Sequence, residues 1–344
     1  MPRVLSVVFV LMWVGIECWA QDPQFSQYYS APLNLNPGLT GINQKGRVGL
    51  NYRNQWPAID ATFETYSFWV DYNFEDYYSS VGLLVNVDRE GIAGLTSNMV
   101  GLNYAYQLQL NYEWTFRPAV QIAWIQRDIN FDRLTFGDQF DANGQVVLDN
   151  TRESFNTGQR ANMFDLSFGG IVFNENLWAG LSVYHVTEPN QSLVDADDSP
   201  LYMRTSIHGG YRIHFYDVSS KAQNRPDRER SFTPSFNYRS QAEFDQLDLG
   251  VFVTLEPVLF GVWYRGIPVK NLESIPNNES IIFMAGLNNN NFSIGYSFDF
   301  TISDLGINSG GAHEISLIYT FSLDPPGKPP KSVRDLKCPV PFIF

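Results

Sequence analysis

Metal or hydrolytic chemistry would have few parts to work with in this chain. It holds four histidines, His185, His208, His214 and His313, and two cysteines, Cys18 and Cys338. No two histidines stand at the HxxxH-type spacing that brings two imidazoles to one metal, and a lone cysteine builds no zinc site. Ser206 and His208 are two residues apart, so on a strand they share a face. On the lipid-facing rim of a barrel such a pair would suit a membrane phospholipase; beside Gly209-Gly210 in a barrel wall, a histidine is more often packed or lumenal. Asp195, Asp197 and Asp198 gather carboxylates as a Ca²⁺ loop does, but lack the glycine and closing glutamate of an EF-hand and read as a solvated acidic loop. The phosphate-binding GxxxxGK[ST], the dinucleotide GxGxxG and the GxSxG elbow are all missing. The expectation is no catalytic, cofactor-binding or metal site, and no enzyme.

Other charged residues suggest structural work. If Val48, Leu50 and Tyr52 face outward on a strand, then Arg47, Asn51 and Arg53 face the opposite way. Arginines at membrane depth turn inward and need partners, for which Asp71 and Asp165 on other strands are candidates. Lys221, Arg225, Arg228 and Arg230 are interleaved with Asp227 and Glu229, as in a solvated connection or a contact with lipid headgroups. A formal net charge of -13 argues against nucleic acid as a partner.

The elements that would position these residues start with an export signal. Arg3 precedes an apolar run from Val4 to Ile16, and Cys18-Trp19-Ala20 ends it in a small-x-small pattern, so cleavage is expected after Ala20. That run is short for the roughly 20 residues of a spanning helix. Cys338 is then the one cysteine of the mature chain, which leaves no internal disulfide. Charged residues make up 17% and aromatic residues 15%. Soluble domains carry about 25% charged residues, whereas a barrel needs fewer because its outer band faces lipid.

Two-residue alternation recurs from Gly46 to Leu323. Val100, Leu102, Tyr104 and Tyr106 alternate with Gly101, Asn103 and Ala105; Ile315, Leu317, Tyr319 and Phe321 alternate with Ser316, Ile318 and Thr320. The expected fold is all-β, a transmembrane antiparallel β-barrel of about fourteen strands, preferred over a soluble β-sandwich. The strands begin near Gly46, Thr62, Ser79, Thr96, Trp114, Asn162, Asn176, Arg204, Phe232, Gln246, Val258, Ser280, Asn291 and His313. An even count puts both barrel ends on one side, expected to be periplasmic, with short turns there and longer loops outside. The outer loops would be Phe131 to Ala161, Thr187 to Met203, Gly266 to Glu279 and Thr301 to Ala312. Two connections depart from this pattern: Asp217 to Ser231 is long but inside, and Gln241 to Asp245 is short but outside. Strand assignment between Asp217 and Asp245 therefore stays open.

The chain thus divides into a signal peptide (1–20), a polar and aromatic segment (21–45) that is periplasmic or lumenal, the barrel (46–323) and a Pro-rich periplasmic tail (324–344). The tail either docks a partner through its sticky end or folds back onto the barrel. Candidate partner contacts are Asp22, Pro23, Gln24, Phe25 and Tyr28 in the first segment, Trp56 and Pro57 after the first strand, and Cys338, Pro339 and Phe342 in the tail.

Several blocks together resemble one family. Asp22-Pro23-Gln24-Phe25-Ser26-Gln27-Tyr28, Leu35-Asn36-Pro37-Gly38 and Arg47-Val48-Gly49-Leu50-Asn51-Tyr52-Arg53-Asn54-Gln55-Trp56-Pro57 are similar to the PorP/SprF membrane proteins of Bacteroidota. Ile207-His208-Gly209-Gly210-Tyr211, Gly310-Gly311-Ala312-His313-Glu314 and the late Lys337-Cys338-Pro339 carry the same likeness, although Val340 to Phe344 is a longer ending than the pattern has. The resemblance implies an outer-membrane component of the type IX secretion system. Its partners would be the periplasmic ring or translocon and the C-terminal domain of a cognate cargo such as a large adhesin, with a link to gliding motility in some species. The alternative is an outer-membrane channel for small hydrophobic or polar solutes.

Overall fold

The computed structural model describes residues 22–43, 45–59, 63–130, 134–140, 160–193, 198–215, 229–272, 275–289, 291–303, 306–323 and 338–341. The expected signal peptide with Cys18, most of the Phe131 to Ala161 loop, Asp195, Asp197, Lys221, Arg225, Arg228 and Phe342 lie outside the described residues. Fourteen antiparallel strands close into a barrel. They are β1 (Gly46–Gln55), β2 (Phe63–Phe74), β3 (Ser79–Glu90), β4 (Leu95–Tyr106), β5 (Thr115–Asp128), β6 (Ala161–Phe173) and β7 (Leu177–Tyr184). Then follow β8 (Arg204–Tyr211), β9 (Arg230–Gln241), β10 (Phe244–Leu255), β11 (Val258–Leu272), β12 (Ile275–Asn289), β13 (Phe292–Thr301) and β14 (Ala312–Phe321). The pairs Leu108–Gln109 and Ile213–His214 carry β4 and β8 past short breaks.

Each strand pairs with its sequence neighbours, and β1 closes the ring on β14 with Val48 opposite Tyr319 and Leu50 opposite Leu317. Closure leaves no free edge, which a lipid environment demands because unpaired backbone N–H and C=O groups cannot find water there. The pleat sends alternate side chains to opposite faces. Ile315 and Leu317 stand outward and exposed, while Glu314 and Ser316 between them are buried in the interior. Outward positions along other strands are also large and apolar, among them Leu102, Phe260, Phe283 and Ile294. Placing a charge in this band should be costly: Phe283→Arg is expected to lose about 2–4 kcal/mol, read as a lower urea midpoint for refolding into lipid vesicles.

The strand order also resolves the ambiguous stretch. β9 and β10 form a hairpin over the two-residue turn Ala242-Glu243, and β8 and β9 pair directly, so the reversed loop lengths are real features of an even-stranded barrel. The expected outer loop from Gly266 to Glu279 is largely strand. β11 and β12 continue pairing to Leu272 and Ile275 through register shifts after Arg265 and Ile267. Prolines at 268 and 276 hide this extension by breaking the alternation, and bulges are where a sheet tolerates them. The interior also differs from a simple polar lumen. Ile171, Phe173, Trp178, Phe252, Trp263 and Met284 point inward and form one buried cluster.

Candidate functional site

That inward apolar cluster is covered by the chain's own N-terminal segment. From Asn43 the segment runs back through the barrel to Asp22. Asp22 meets His185 just beyond β7, Arg204 at the start of β8 and Gln241 at the end of β9. All three belong to the end opposite Gly46, called here the far mouth. The segment's first described residue does not lie at the same end as the start of β1.

Prolines shape this plug. Pro32 opens the single helical turn Pro32–Leu35 and Pro37 opens the 3₁₀ turn Pro37–Leu39, each at a position whose missing N–H costs nothing. Between them Asn36 accepts from the Gly38 N–H at 2.8 Å and donates through Nδ2 to the Gly170 carbonyl at 3.0 Å. Leu33 and Leu39 are fully buried, Tyr28 stands edge-on to Trp263 at 5.1 Å, and Tyr29 edge-on to Trp178 at 6.0 Å. The wall is notched to take these turns. A Cβ on Gly169 would lie 2.2 Å from Asn36 Oδ1, and one on Gly82 would lie 3.0 Å from Thr40 Cγ2.

Charge-assisted hydrogen bonds hold the plug's ascending arm. Ser26 Oγ donates to Asp299 Oδ2 at 2.6 Å and accepts from Arg53 Nη1 at 2.8 Å and Arg265 Nη2 at 3.1 Å. Its N–H donates to Glu314 Oε2 at 2.7 Å, and Gln27 N–H to the other oxygen at 3.1 Å. Arg53 and Arg265 also pair with Asp299 at 2.9 and 3.1 Å, and Arg265 with Asp248 at 2.9 Å. One serine thus sits amid two arginines and two carboxylates taken from β1, β11, β13 and β14. Near the base, Arg47 holds Asp71, whose Oδ2 accepts from the Gly41 N–H at 2.8 Å. Arg117 donates to Ser80 Oγ at 2.8 Å and caps the carbonyls of Gly38 and Thr40.

The sequence reading named Arg47, Arg53 and Asp71 among these groups and missed Arg265, Asp248, Asp299, Glu314, Arg117 and Ser26. A scan for charged residues on the polar phase of each alternating strand would have collected all but Ser26. Asp165, suggested as a partner for arginine, instead accepts from His185 Nδ1 at 3.0 Å. Ser206 and His208 are both buried on the inner face, and His208 Nε2 accepts from Asn36 Nδ2 at 3.1 Å. The lipid-rim arrangement of a phospholipase is therefore contradicted: the alternation that puts Ile207 outward turns both residues inward. Phe25 and Tyr28 are buried with the plug, whereas Trp56 stacks edge-on against Phe63 at 5.3 Å beside an exposed Pro57 on the far rim. In the tail, Pro339, Val340 and Pro341 are buried, the Val340 carbonyl accepts from Arg212 at 3.3 Å, and Cys338 packs on the cluster under Tyr28 and Tyr29. Burial pushes the Cys338 thiol up to about 12.

His185 latches the plug's upper end. Its two ring nitrogens reach Asp22 at 2.8 Å and Asp165 at 3.0 Å, and Arg204 reaches the same Asp22 oxygen at 2.9 Å. Burial disfavours the imidazolium, but the Asp22 and Asp165 carboxylates outweigh it and raise the pKa from 6.5 to about 9. Burial likewise works against ionised Asp22, and His185 and Arg204 overcome it, holding Asp22 well below its ordinary value. A raised histidine pKa contributes stability that is complete below its unfolded value and lost as pH rises through about 9. The Asp22 contribution is present above its ordinary pKa and lost as pH falls below it. Chymotryptic cleavage at Phe25 should therefore speed up between pH 7 and 10, and His185→Gln should cleave quickly throughout; a flat wild-type profile would refute the latch.

Two clefts among the described residues at the far mouth are both lined by Asp22 and Arg204. Among the described residues no cluster of histidine, cysteine and acidic side chains has the arrangement of a metal site.

A family model described as type IX secretion system membrane protein PorP/SprF matches residues 18–319. No curated protein matches the sequence significantly. Among solved structures, a Pseudomonas aeruginosa FadL homologue is similar at a TM-score of 0.44 and 12% identity over 84% of this chain and 93% of that one. The CymD monoaromatic hydrocarbon channel is similar at 0.42 and 12% over 85% and 93%. CdiB from Acinetobacter baumannii is similar at 0.42 and 8% over 81% of this chain, which spans 60% of that protein. Likenesses this distant say nothing of what the chain does.

Proposed function

Since the chain belongs to the PorP/SprF family of type IX secretion system membrane proteins, we propose that it acts in the outer membrane as a scaffold for a cognate secreted protein. Its strand termini and tail face the periplasm and the secretion machine there. The far mouth faces outside and helps to export the cargo or to hold it at the surface, a large adhesin being the kind of cargo that fits. In a gliding species such an adhesin would serve motility.

One observation favours protein contact over the alternative of a solute channel. The lumen is taken up by residues 22–43, joined to the wall by hydrogen bonds from wall arginines to Ser26 and from Ser26 and Gln27 to wall carboxylates, and by a buried aromatic cluster. A path for solutes would have to displace them. Trp56 and Pro57 on the far rim are proposed cargo contacts. Asp22, Pro23 and Gln24 support them from inside the mouth, and the tail, residues 324–344, serves the opposite end.

Purification from native membranes in mild detergent tests this reading. Secretion components and one cargo should copurify, and those bound at the periplasmic end should be lost when residues 324–344 are removed. Recovery of the barrel alone, together with solute-dependent conductance in planar bilayers, would overturn it.

A further inference from the structure

The buried lumenal carboxylates Asp22, Asp71, Asp165, Asp248, Asp299 and Glu314 each have an arginine or histidine as ion-pair partner. Asp88 and Glu90 differ. They stand two residues apart on the inner face of β3, and among the described residues neither is ion-paired. Asp88 is buried and accepts from Thr65 Oγ1, and Glu90 beside it is half-buried. Arg127, a cation beside them, donates instead to Gln191 Oε1. Two residues back on the same face, Asn86 is more than nine-tenths buried and its Oδ1 has no hydrogen-bond partner. A buried carboxylate outside any ion pair, Asp88, and an unsatisfied buried acceptor, Asn86 Oδ1, are costly unless a donor completes them.

All three side chains line one of the two far-mouth clefts. Its other wall is apolar: Ile125, Met163 and Leu201 form a buried cluster with Met99 packed against it. The cleft therefore offers oxygen acceptors on one side and thioether and aliphatic surface on the other, while Arg127, Arg204 and His185, which also line it, are engaged with Gln191, Asp22 and Asp165. A bare divalent ion would find oxygen ligands on one side only and nothing to hold its waters on the other. A cation carried on an apolar stem is complementary to both sides.

We propose that this cleft binds an ammonium or guanidinium group on an aliphatic stem, with the cation at Asp88, Glu90 and Asn86 Oδ1 and the stem against Met99, Ile125 and Met163. The same chemistry is carried by a lysine or arginine side chain of an incoming polypeptide and by a free amphiphilic amine. The site stands on this geometry alone and does not depend on the secretion role.

The test uses the full chain in lipid nanodiscs and three probes: the peptide acetyl-Leu-Lys-Leu-amide, its Nε-acetyl-lysine counterpart, and agmatine. Titration calorimetry should show the lysine peptide binding at least tenfold more tightly than the acetylated one. Glu90→Gln and, separately, Met163→Trp should each weaken it about tenfold while the barrel keeps its heat-modifiable migration on gels. Glu90→Gln is close to isosteric, so it keeps the test decisive if the tryptophan variant fails to fold. Agmatine binding as tightly as the peptide would support the site and assign it to free amines; peptide binding alone would assign it to a side chain. Equal binding of the two peptides, no binding at millimolar concentration, indifference to Glu90→Gln, or saturable binding of calcium chloride that excludes the lysine peptide would each overturn the proposal.

Discussion

Replacing Asp299 with alanine is expected to cost about 3–5 kcal/mol, because it strands two buried arginines that share this carboxylate. Arg53 lies 2.9 Å and Arg265 3.1 Å from Asp299 Oδ2, and Ser26 Oγ donates to the same atom at 2.6 Å. Their other acid partners compensate little: Glu314 is 3.5 Å from Arg53, and Asp248 is already engaged with Arg265. The loss falls on both barrel and plug, since Ser26 belongs to the plug and Asp299 to β13. The variant should therefore show a lower urea midpoint in micelles and faster chymotryptic cleavage at Phe25, Tyr28 and Tyr29. An Asp299→Ala midpoint within about 1 kcal/mol of wild type, below the range for a broken buried pair, would show that the network contributes little.

Gly169→Val is expected to unseat the plug with little effect on the wall. The new Cβ would fall 2.2 Å from Asn36 Oδ1 and 2.7 Å from Pro37 Cδ, distances at which something must move. Gly169 lies in a ladder with β5 on one side and β7 on the other, and valine is at home in a strand. The neighbour free to move is the turn around Asn36. Its departure also strips the polar partner from His208 and the bonds from Asn36 to the Gly170 and Leu181 carbonyls. Single-channel conductance in planar bilayers should rise at least tenfold over wild type, accompanied by cleavage at Tyr28 and Tyr29. Gly137→Ala is the control, since nothing lies within 4 Å of its added Cβ. Unchanged conductance in Gly169→Val would mean that the plug does not block the lumen.

Much of the wall could be read from the residues because a strand's side-chain period is two and a lipid-facing strand must be apolar at every other position. The expected starts near Ser79, Arg204 and Val258 match β3, β8 and β11. The reading failed where the period was interrupted, at the prolines near Gly266 to Glu279, where β12 begins at Ile275 rather than Ser280. Inward apolar positions were harder to interpret. Phe252 sat on the face expected to be polar, and its packing against Tyr29 at 6.1 Å and Trp263 at 5.2 Å makes it part of a buried core. The site was legible in kind but not in pairing: Arg47 with Asp71 spans neighbouring strands, whereas His185 with Asp22 joins a loop to a segment that carries no alternation at all.

Sequence alone therefore determined that a closed, alternating barrel would carry whatever charges turned inward. Tertiary structure decided what those charges are for. Alternation states which way a side chain points but not which residue it meets, and the plug's partners are far away in the chain: Ser316 donates to Gln27 across 289 positions. The notches at Gly82 and Gly169 likewise mean nothing until the Pro32 to Gly41 turns lie against them. Closing fourteen strands around one segment is what makes a serine the meeting point of two arginines and two carboxylates, and what leaves Asp88 and Glu90 unmatched at the far mouth.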